Sequence, residues 1–284
     1  MTTATTPPPP LASLPMLLRG LKLPAFVRHH EEIAQKAEAE GWRFGQFLQH
    51  LVEIEVHERR RRRIERNQTA SVLPGEKTLA MLARPRLPPK VQKLLPTLCE
   101  GGFIDRGENL LVFGLPGRGK THLACAIGHE LIQRGYRVFF TPTYALVQRL
   151  LGAKRELRLE KELASLDGFD AVILDDIGYV QQSRDEMEVL FTFLAERYER
   201  RTVIITSNLV FSEWDRIFKD PMTTAAAIDR LVHHSVIIEM IGPSIRAEDA
   251  RKKGGTTTTT AATTTTATTT TETKASGSGH DGEM

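Results

Sequence analysis

Cysteine is scarce: Cys99 and Cys125 are the two in 284 residues, with no C-x-x-C pair and no metal-binding spacing. That excludes a disulfide scaffold or a cysteine metal cluster and fits a reduced compartment; Cys125 reads as a small buried apolar residue. Aromatic residues make up 6% and do not interleave the basic run, which disfavours a base-stacking platform. No apolar run approaches the roughly 20 residues of a membrane span, so no membrane association is expected. The first ten residues are rich in Thr and Pro, without a charged segment leading into an apolar one. No signal peptide is expected, and a cytoplasmic location is. An excess of one charge is also missing: 38 Lys and Arg against 35 Asp and Glu give a net charge of +3. With 40% hydrophobic residues, the chain is long enough for one main core and a small accessory domain.

What is present is a phosphate-binding loop. Gly114, Leu115, Pro116, Gly117, Arg118, Gly119, Lys120 and Thr121 read G-x-x-x-x-G-K-T, after the apolar run Asn109–Phe113 and before a helix-competent stretch from His122. Glycines let the backbone wrap phosphates, and amide N–H groups and the helix N-terminus face the charge. Lys120 is expected to reach the β- and γ-phosphates of ATP, and the Thr121 hydroxyl to ligate Mg²⁺. The candidate nucleotide contacts are these eight residues and His122.

The chain around the loop is expected to divide into five parts. Residues 1–15, with four consecutive prolines, are expected to be disordered. Residues 16–67 read as a small all-helical domain, broken at Gly41, whose second helix ends in an arginine run. Residues 68–100 carry Pro74-Gly75, Pro85, Pro88-Pro89 and Pro96 and read as a linker. Residues 101–249 alternate strand and helix. Strands are predicted at 109–114, 136–141, 170–175, 202–207 and 235–240, helices at 120–134, 143–162, 185–200, 212–218 and 223–233. Continuously apolar strands joined by helices predict an α/β fold, a parallel sheet of about five strands covered on both faces. Residues 250–284 are nearly all Thr, Ala, Ser and Gly and are expected to stay disordered.

Four further groups fit a nucleotide site. Val172-Ile173-Leu174 runs into Asp175-Asp176, roughly 55 residues after Lys120. Such a strand is expected to lie beside the loop strand, with Asp175 holding Mg²⁺ and Asp176 activating water. Thr206-Ser207-Asn208 ends another apolar strand, where Asn208 is placed to bond the γ-phosphate or the attacking water. Arg230, in Ala227-Ile228-Asp229-Arg230-Leu231, suits an arginine finger aimed at a neighbouring subunit's γ-phosphate; an ion pair within its own subunit is the alternative. His233 and His234 follow; adjacent residues on a helix do not share a face, so no two-histidine metal site is expected. Finally, Arg59, Arg60, Arg61, Arg62 and Arg63 point to backbone contact with double-stranded DNA, although Glu53, Glu55, Glu58 and Glu65 flank them.

These residues together resemble a known family. Leu190-Phe191, Arg197-Tyr198-Glu199-Arg200-Arg201-Thr202, Ile205-Thr206-Ser207-Asn208-Leu209, Phe211-Ser212-Glu213-Trp214 and Asp229-Arg230-Leu231-Val232-His233-His234 carry the likeness, with Leu21-Lys22-Leu23-Pro24-Ala25 and Glu55 before the arginine run. Residues 14–246 are similar to IstB-like ATP-binding proteins, the ATPase helpers encoded beside the transposase in one group of bacterial insertion sequences. The family is related to DnaC-type helicase loaders within the AAA+ superfamily. The resemblance implies an AAA+ ATPase in the bacterial cytoplasm, associated with the nucleoid. It implies an ATP-dependent homo-oligomer on DNA that stimulates a partner transposase. Asn208 matches the sensor-I position and Arg230 the box VII arginine. Ser244-Ile245-Arg246 stands where the family has Ser-Tyr-Arg. Asp176 stands where many AAA+ proteins carry Glu; the shorter carboxylate implies slow hydrolysis, suited to a switch. A helicase loader is the competing reading, and loaders often carry an N-terminal cysteine cluster that this chain lacks.

Overall fold

A computed structural model describes residues 13–179, 183–214, 221–242 and 244. The expected disorder of 1–12 and 250–284, and Arg246, lie outside the described residues. Three helices come first: α1 (Leu14–Gly20), α2 (Pro24–Ala39) and α3 (Phe44–Ser71). Pro15 and Pro24 sit in the first turns of α1 and α2, where a missing N–H costs nothing. The helix α1 therefore begins inside the stretch 1–15. Helix α3 is 28 residues, about 42 Å, and runs through the arginines to Ser71 rather than stopping at them.

Then come α4 (Pro89–Glu100), α5 (Gly102–Asp105), β1 (Asn109–Phe113), α6 (Lys120–Arg134), β2 (Val138–Pro142), α7 (Thr143–Arg155) and α8 (Leu159–Asp167). β3 (Ala171–Asp175), α9 (Arg184–Arg197), β4 (Thr202–Ser207), α10 (Pro221–Val232) and β5 (Ser235–Glu239) complete the described elements. All five expected strands are present, within two residues of their expected bounds. The single helix expected over 143–162 is two: Leu157 adopts φ 56°, which ends α7 and turns the chain into α8. Of the helix expected at 212–218, Phe211–Glu213 is a 3₁₀ turn and 215–220 lie outside the described residues.

The five strands are parallel in the order β2-β3-β4-β1-β5. β3 is therefore not beside the loop strand β1; β4 lies between them, pairing Leu110 with Ile204 and Ile173 with Ile204 on its two sides. Period-two alternation sends each strand's side chains to two cores. Leu110, Val112, Ile173 and Ile204 meet α4 and α6 on one face; Leu111, Phe113, Val172 and Ile205 meet α7, α9 and α10 on the other. The stretch expected as a linker belongs to the first core: Leu73, Leu82, Leu87, Val91 and Leu95 are buried in it. Its prolines stand at helix starts and turns of a packed segment, except Pro96, which lies inside α4. Burial pushes the Cys125 thiol up to about 12 and Cys99 up to about 11, so both act as apolar side chains.

Candidate functional site

Parallel strands deliver all their carboxyl ends to one edge of the sheet, and side chains there converge. After β1 the chain turns through Gly117 at φ 79° and Gly119 at φ 82°, left-handed conformations in which a side chain is strained, and enters α6 at Lys120. Lys120 is nearly buried, and its ammonium donates to the carbonyls of Gly114 at 2.7 Å and Leu115 at 3.1 Å. The cationic head is thus held at the mouth of the loop.

Opposite the loop, Thr206 at the end of β4 links two consecutive aspartates of the β3 end, one through its carboxylate and one through its backbone. Its hydroxyl donates to Asp175 Oδ1 at 2.7 Å and accepts from the Asp176 backbone N–H at 2.9 Å. Asp176 has φ 59°, a left-handed conformation for a residue with a side chain. The intervening strand β4 explains this contact: had β3 paired with β1, no Thr206 would face Asp175. Asn208 follows two residues on, with its Oδ1 buried and without a hydrogen-bond partner among the described residues.

Pro116, Gly117, Arg118, Gly119, Lys120, Thr121, His122, Asp176 and Asn208 share a cleft of about 600 Å³, with Thr206 on its wall. Gly114 and Leu115 hold Lys120 behind it. Asp175 is tied to the cleft through Thr206. Arg230 is elsewhere: its guanidinium stacks over the Phe191 ring of its own chain, 4.7 Å from the centroid, and is not part of the cleft wall. Three features escaped the sequence reading. Lys77, Met81, Leu82 and Arg86 form the far wall of the cleft, and the Thr78 carbonyl meets His122 Nε2 at 3.0 Å. Their cue was the run of apolar and basic residues among the prolines. Gly178 is the second: a Cβ there would collide with Asn208 Oδ1 and lie 2.8 Å from Leu209 Cγ. Thr206 is the third; its hydroxyl is legible as polar but not as the link between β3 and β4.

The residues fit a nucleoside triphosphate. The cradle is backbone without side chains, one ammonium is positioned at it, and an amide oxygen is left over beside two carboxylates.

A separate groove of about 1230 Å³ runs along α3. Each helical step turns by about 100°, so five consecutive arginines cannot share one face. Arg59, Arg60, Arg62 and Arg63 line the groove, with Arg66; Arg61 does not. Arg59 is bound to Glu55 and to the Lys22 carbonyl, Arg61 pairs with Glu65, and Arg62 with Glu58. Arg60 reaches the Gln133 carbonyl, and Arg63 lies against Gly135. The run is therefore partly spent within the molecule.

A five-stranded parallel sheet with β4 between β1 and β3, a phosphate loop at its carboxyl edge and a carboxylate pair on β3 define an AAA+ P-loop nucleotide-binding protein. Solved structures share the fold. A replication initiator DnaA bound to AMPPCP and single-stranded DNA superposes with TM-score 0.52 at 18% identity, over 66% of this chain and 56% of that one. DnaI superposes with TM-score 0.50 at 19% identity, over 60% and 95%. Residues 16–253 match the family described as IstB-like ATP binding protein. The chain belongs to that family. It is 45% identical over 240 residues to a protein named for ATP binding in an insertion sequence of Sinorhizobium fredii, covering 84% of this chain and 80% of that one. It is 36% identical over 239 residues to the corresponding IS21 protein of Pseudomonas aeruginosa, covering 84% and 90%. No described helix is long and apolar enough to cross a membrane.

Proposed function

We propose that this chain is an ATP-hydrolysing helper of DNA transposition, which assembles as a homo-oligomer on double-stranded DNA in response to ATP and stimulates a partner transposase. The observation that carries the hydrolytic reading is the Thr206 bridge. One hydroxyl fixes the Asp175 carboxylate and the Asp176 backbone together, on the wall of the cleft that holds Lys120. A fixed carboxylate with a second aspartate anchored next to it through its backbone, beside a bound triphosphate, is what hydrolysis needs.

Lys120 binds the β- and γ-phosphate oxygens in place of the carbonyls it now meets. Thr121 and Asp175 would hold Mg²⁺, which would supply positive charge beside the phosphates. Asp176 takes the proton of the attacking water, and Asn208 orients it. Arg230 is absent from its own chain's cleft, which supports a role toward the cleft of a neighbouring subunit. There it would neutralise the γ-phosphate in the transition state. Residues 101–249 form the ATPase part, and the helices of 16–67 carry the DNA and partner contacts. The groove of Arg59, Arg60, Arg62 and Arg63 offers cations to phosphate backbone, with Arg61 contributing from beside it. The insertion-sequence setting of the relatives favours transposition over helicase loading.

Phosphate release and sedimentation, each with and without double-stranded DNA, test the reading. Turnover is expected in the wild type, faster on DNA, with ATP-dependent growth in size. Arg230→Ala is expected to keep ATP binding and lose both turnover and growth. A chain that binds ATP but neither hydrolyses it nor assembles on DNA is a scaffold, and the proposal fails.

A further inference from the structure

The loops that enter parallel strands share the amino edge of the sheet, opposite the nucleotide cleft. Three exposed side chains meet there: Glu199, in the turn between α9 and β4, and His233 and His234, in the turn between α10 and β5. Glu199 Oε1 lies 3.8 Å from His233 Nδ1 and 3.7 Å from His234 Nε2. The imidazole rings stand 4.2 Å apart, inclined by 59°. One ligand atom from each residue lies within 4.8 Å of the other two. A helix would have kept the two rings on different faces. Helix α10 ends at Val232, and in the turn beyond it both rings reach one carboxylate.

The backbone beneath the cluster is fixed. Glu199 has φ 56°, and its carbonyl packs where a Cβ at Gly107 would come within 3.4 Å. The His234 carbonyl accepts the Asn109 N–H at 2.7 Å, which ties the turn to β1. The Tyr198 hydroxyl hydrogen-bonds His233 Nδ1 at 3.1 Å.

We propose that Glu199, His233 and His234 form a binding site for a divalent cation of the zinc class. Two imidazole nitrogens and one carboxylate oxygen suit Zn²⁺ and its neighbours, whereas Mg²⁺ and Ca²⁺ favour all-oxygen sets. Tetrahedral bonds near 2.0–2.2 Å put ligand atoms roughly 3.3–3.5 Å apart. The nitrogen–oxygen gaps need to close by a few tenths of an ångström, within reach of exposed side chains. The Tyr198 hydroxyl yields Nδ1 to the ion and remains beside it. Water fills the fourth position. The bound ion joins the carboxyl end of α9 to that of α10, one turn beyond Arg230, and so steadies the pair of helices on which Arg230 meets Phe191. The site stands apart from the nucleotide cleft and its reading does not depend on it.

The test uses the full chain without a histidine tag, stripped by chelation, in titrations with Zn²⁺ by calorimetry and Co²⁺ by absorbance. A site retained by Lys120→Ala, strong visible bands from four-coordinate Co²⁺ and a rise in melting temperature with Zn²⁺ are expected. The double variant His233→Ala, His234→Ala should lose that site, and Glu199→Gln should weaken it at least tenfold. These residues are exposed, and an unchanged far-UV spectrum checks that each variant folds; His234→Gln serves if the double variant does not. Full Zn²⁺ affinity in the double variant or in Glu199→Gln, or no saturable binding up to about 1 mM, overturns the proposal and leaves a cluster held by ion pairs alone.

Discussion

The two edges of one sheet put their polar groups to different uses. At the amino edge, Arg197 is buried, and its two terminal nitrogens donate to the carbonyls of Leu166, Phe169, Asp170 and Thr202. Burial pulls its pKa down to about 10, which leaves it charged at neutral pH. Asn109 works beside it, accepting from the Val203 N–H at 2.9 Å and donating to the Leu231 carbonyl at 3.3 Å. These side chains close the loops that start β4 and end α8 and α10. At the carboxyl edge, polar groups are held but not used up. Among the described residues, Asn208 keeps a buried oxygen without a hydrogen-bond partner and Arg118 a buried Nε likewise, and Asp176 holds a left-handed backbone. A strained residue and leftover hydrogen-bonding capacity in a cleft are the marks of a site arranged for something else to bind. The amino edge has such atoms too, since Arg197 Nε is buried without a hydrogen-bond partner among the described residues, but there the four bonds that Arg197 donates close loops, and that marks structure.

The comparison is broken most directly by exchanging the readouts of the two edges. Asp176→Asn should lower ATP turnover by roughly 10²–10⁴-fold and leave the urea midpoint unchanged, because Asn tolerates left-handed backbone. A large loss of stability with turnover retained would make Asp176 a structural residue. Arg197→Ala should do the reverse. It removes a donor from four carbonyls, of which those of Leu166 and Asp170 keep a backbone N–H, and should cost roughly 3–5 kcal/mol in urea denaturation, while fluorescent ATP binding by the surviving folded fraction stays normal. Lysine should not rescue it, since a single ammonium cannot span the same four acceptors. If Arg197→Ala melts like the wild type, the amino edge is not the anchor described above.

Gly178 joins the two behaviours. Alanine there would press on Asn208 and Leu209. We expect a cost of roughly 1–3 kcal/mol, together with slower turnover as Asn208 is displaced. Unchanged stability and unchanged turnover together would mean that the Asn208 side chain is free to move, against its buried oxygen.

Much of the carboxyl edge was legible because each group there belongs to a local pattern. Gly114 to Thr121 reads as a loop from eight neighbours, and Asp175-Asp176 and Asn208 read from the apolar strands that precede them. Strand order was not legible, because nothing local in β3 says that β4 will insert beside it. The Thr206 bridge depends on that insertion and stayed hidden with it. The prolines of 68–100 misled in another way: all but Pro96, which lies inside α4, mark a turn or a helix start, and turns occur within packed segments as well as linkers. The arginine run misled through geometry. Five adjacent letters look like one patch, but a helix spreads them, and glutamates one turn away bind Arg59, Arg61 and Arg62. For the two histidines the helical rule was applied one and two residues past the last residue of α10, where the rings stand 4.2 Å apart.

The smallest expected effect lies outside the sheet and sharpens what saturation means. Glu55, buried on α3, accepts the Ala25 N–H at 2.8 Å and the Arg59 Nε at 2.7 Å. It thereby caps α2, whose own N-cap residue, Leu23, has no side chain able to do so. Burial raises its pKa, but the Arg59 and backbone hydrogen bonds outweigh burial and leave it below the ordinary carboxylate value of 4.5. A carboxylate with a depressed folded pKa stabilises the fold above its unfolded pKa and loses that contribution as pH falls through the folded value. Glu55→Gln should therefore cost about 1–2 kcal/mol at pH 7, nearly the same at pH 6, and progressively less below pH 4.5 as the wild-type carboxylate takes up its proton. Urea titrations at pH 7, 6 and 4 would show it. A gap between variant and wild type that widens on acidification would mean that the charge of Glu55 opposes the fold, so that Glu55 would not share the anchoring role of Arg197.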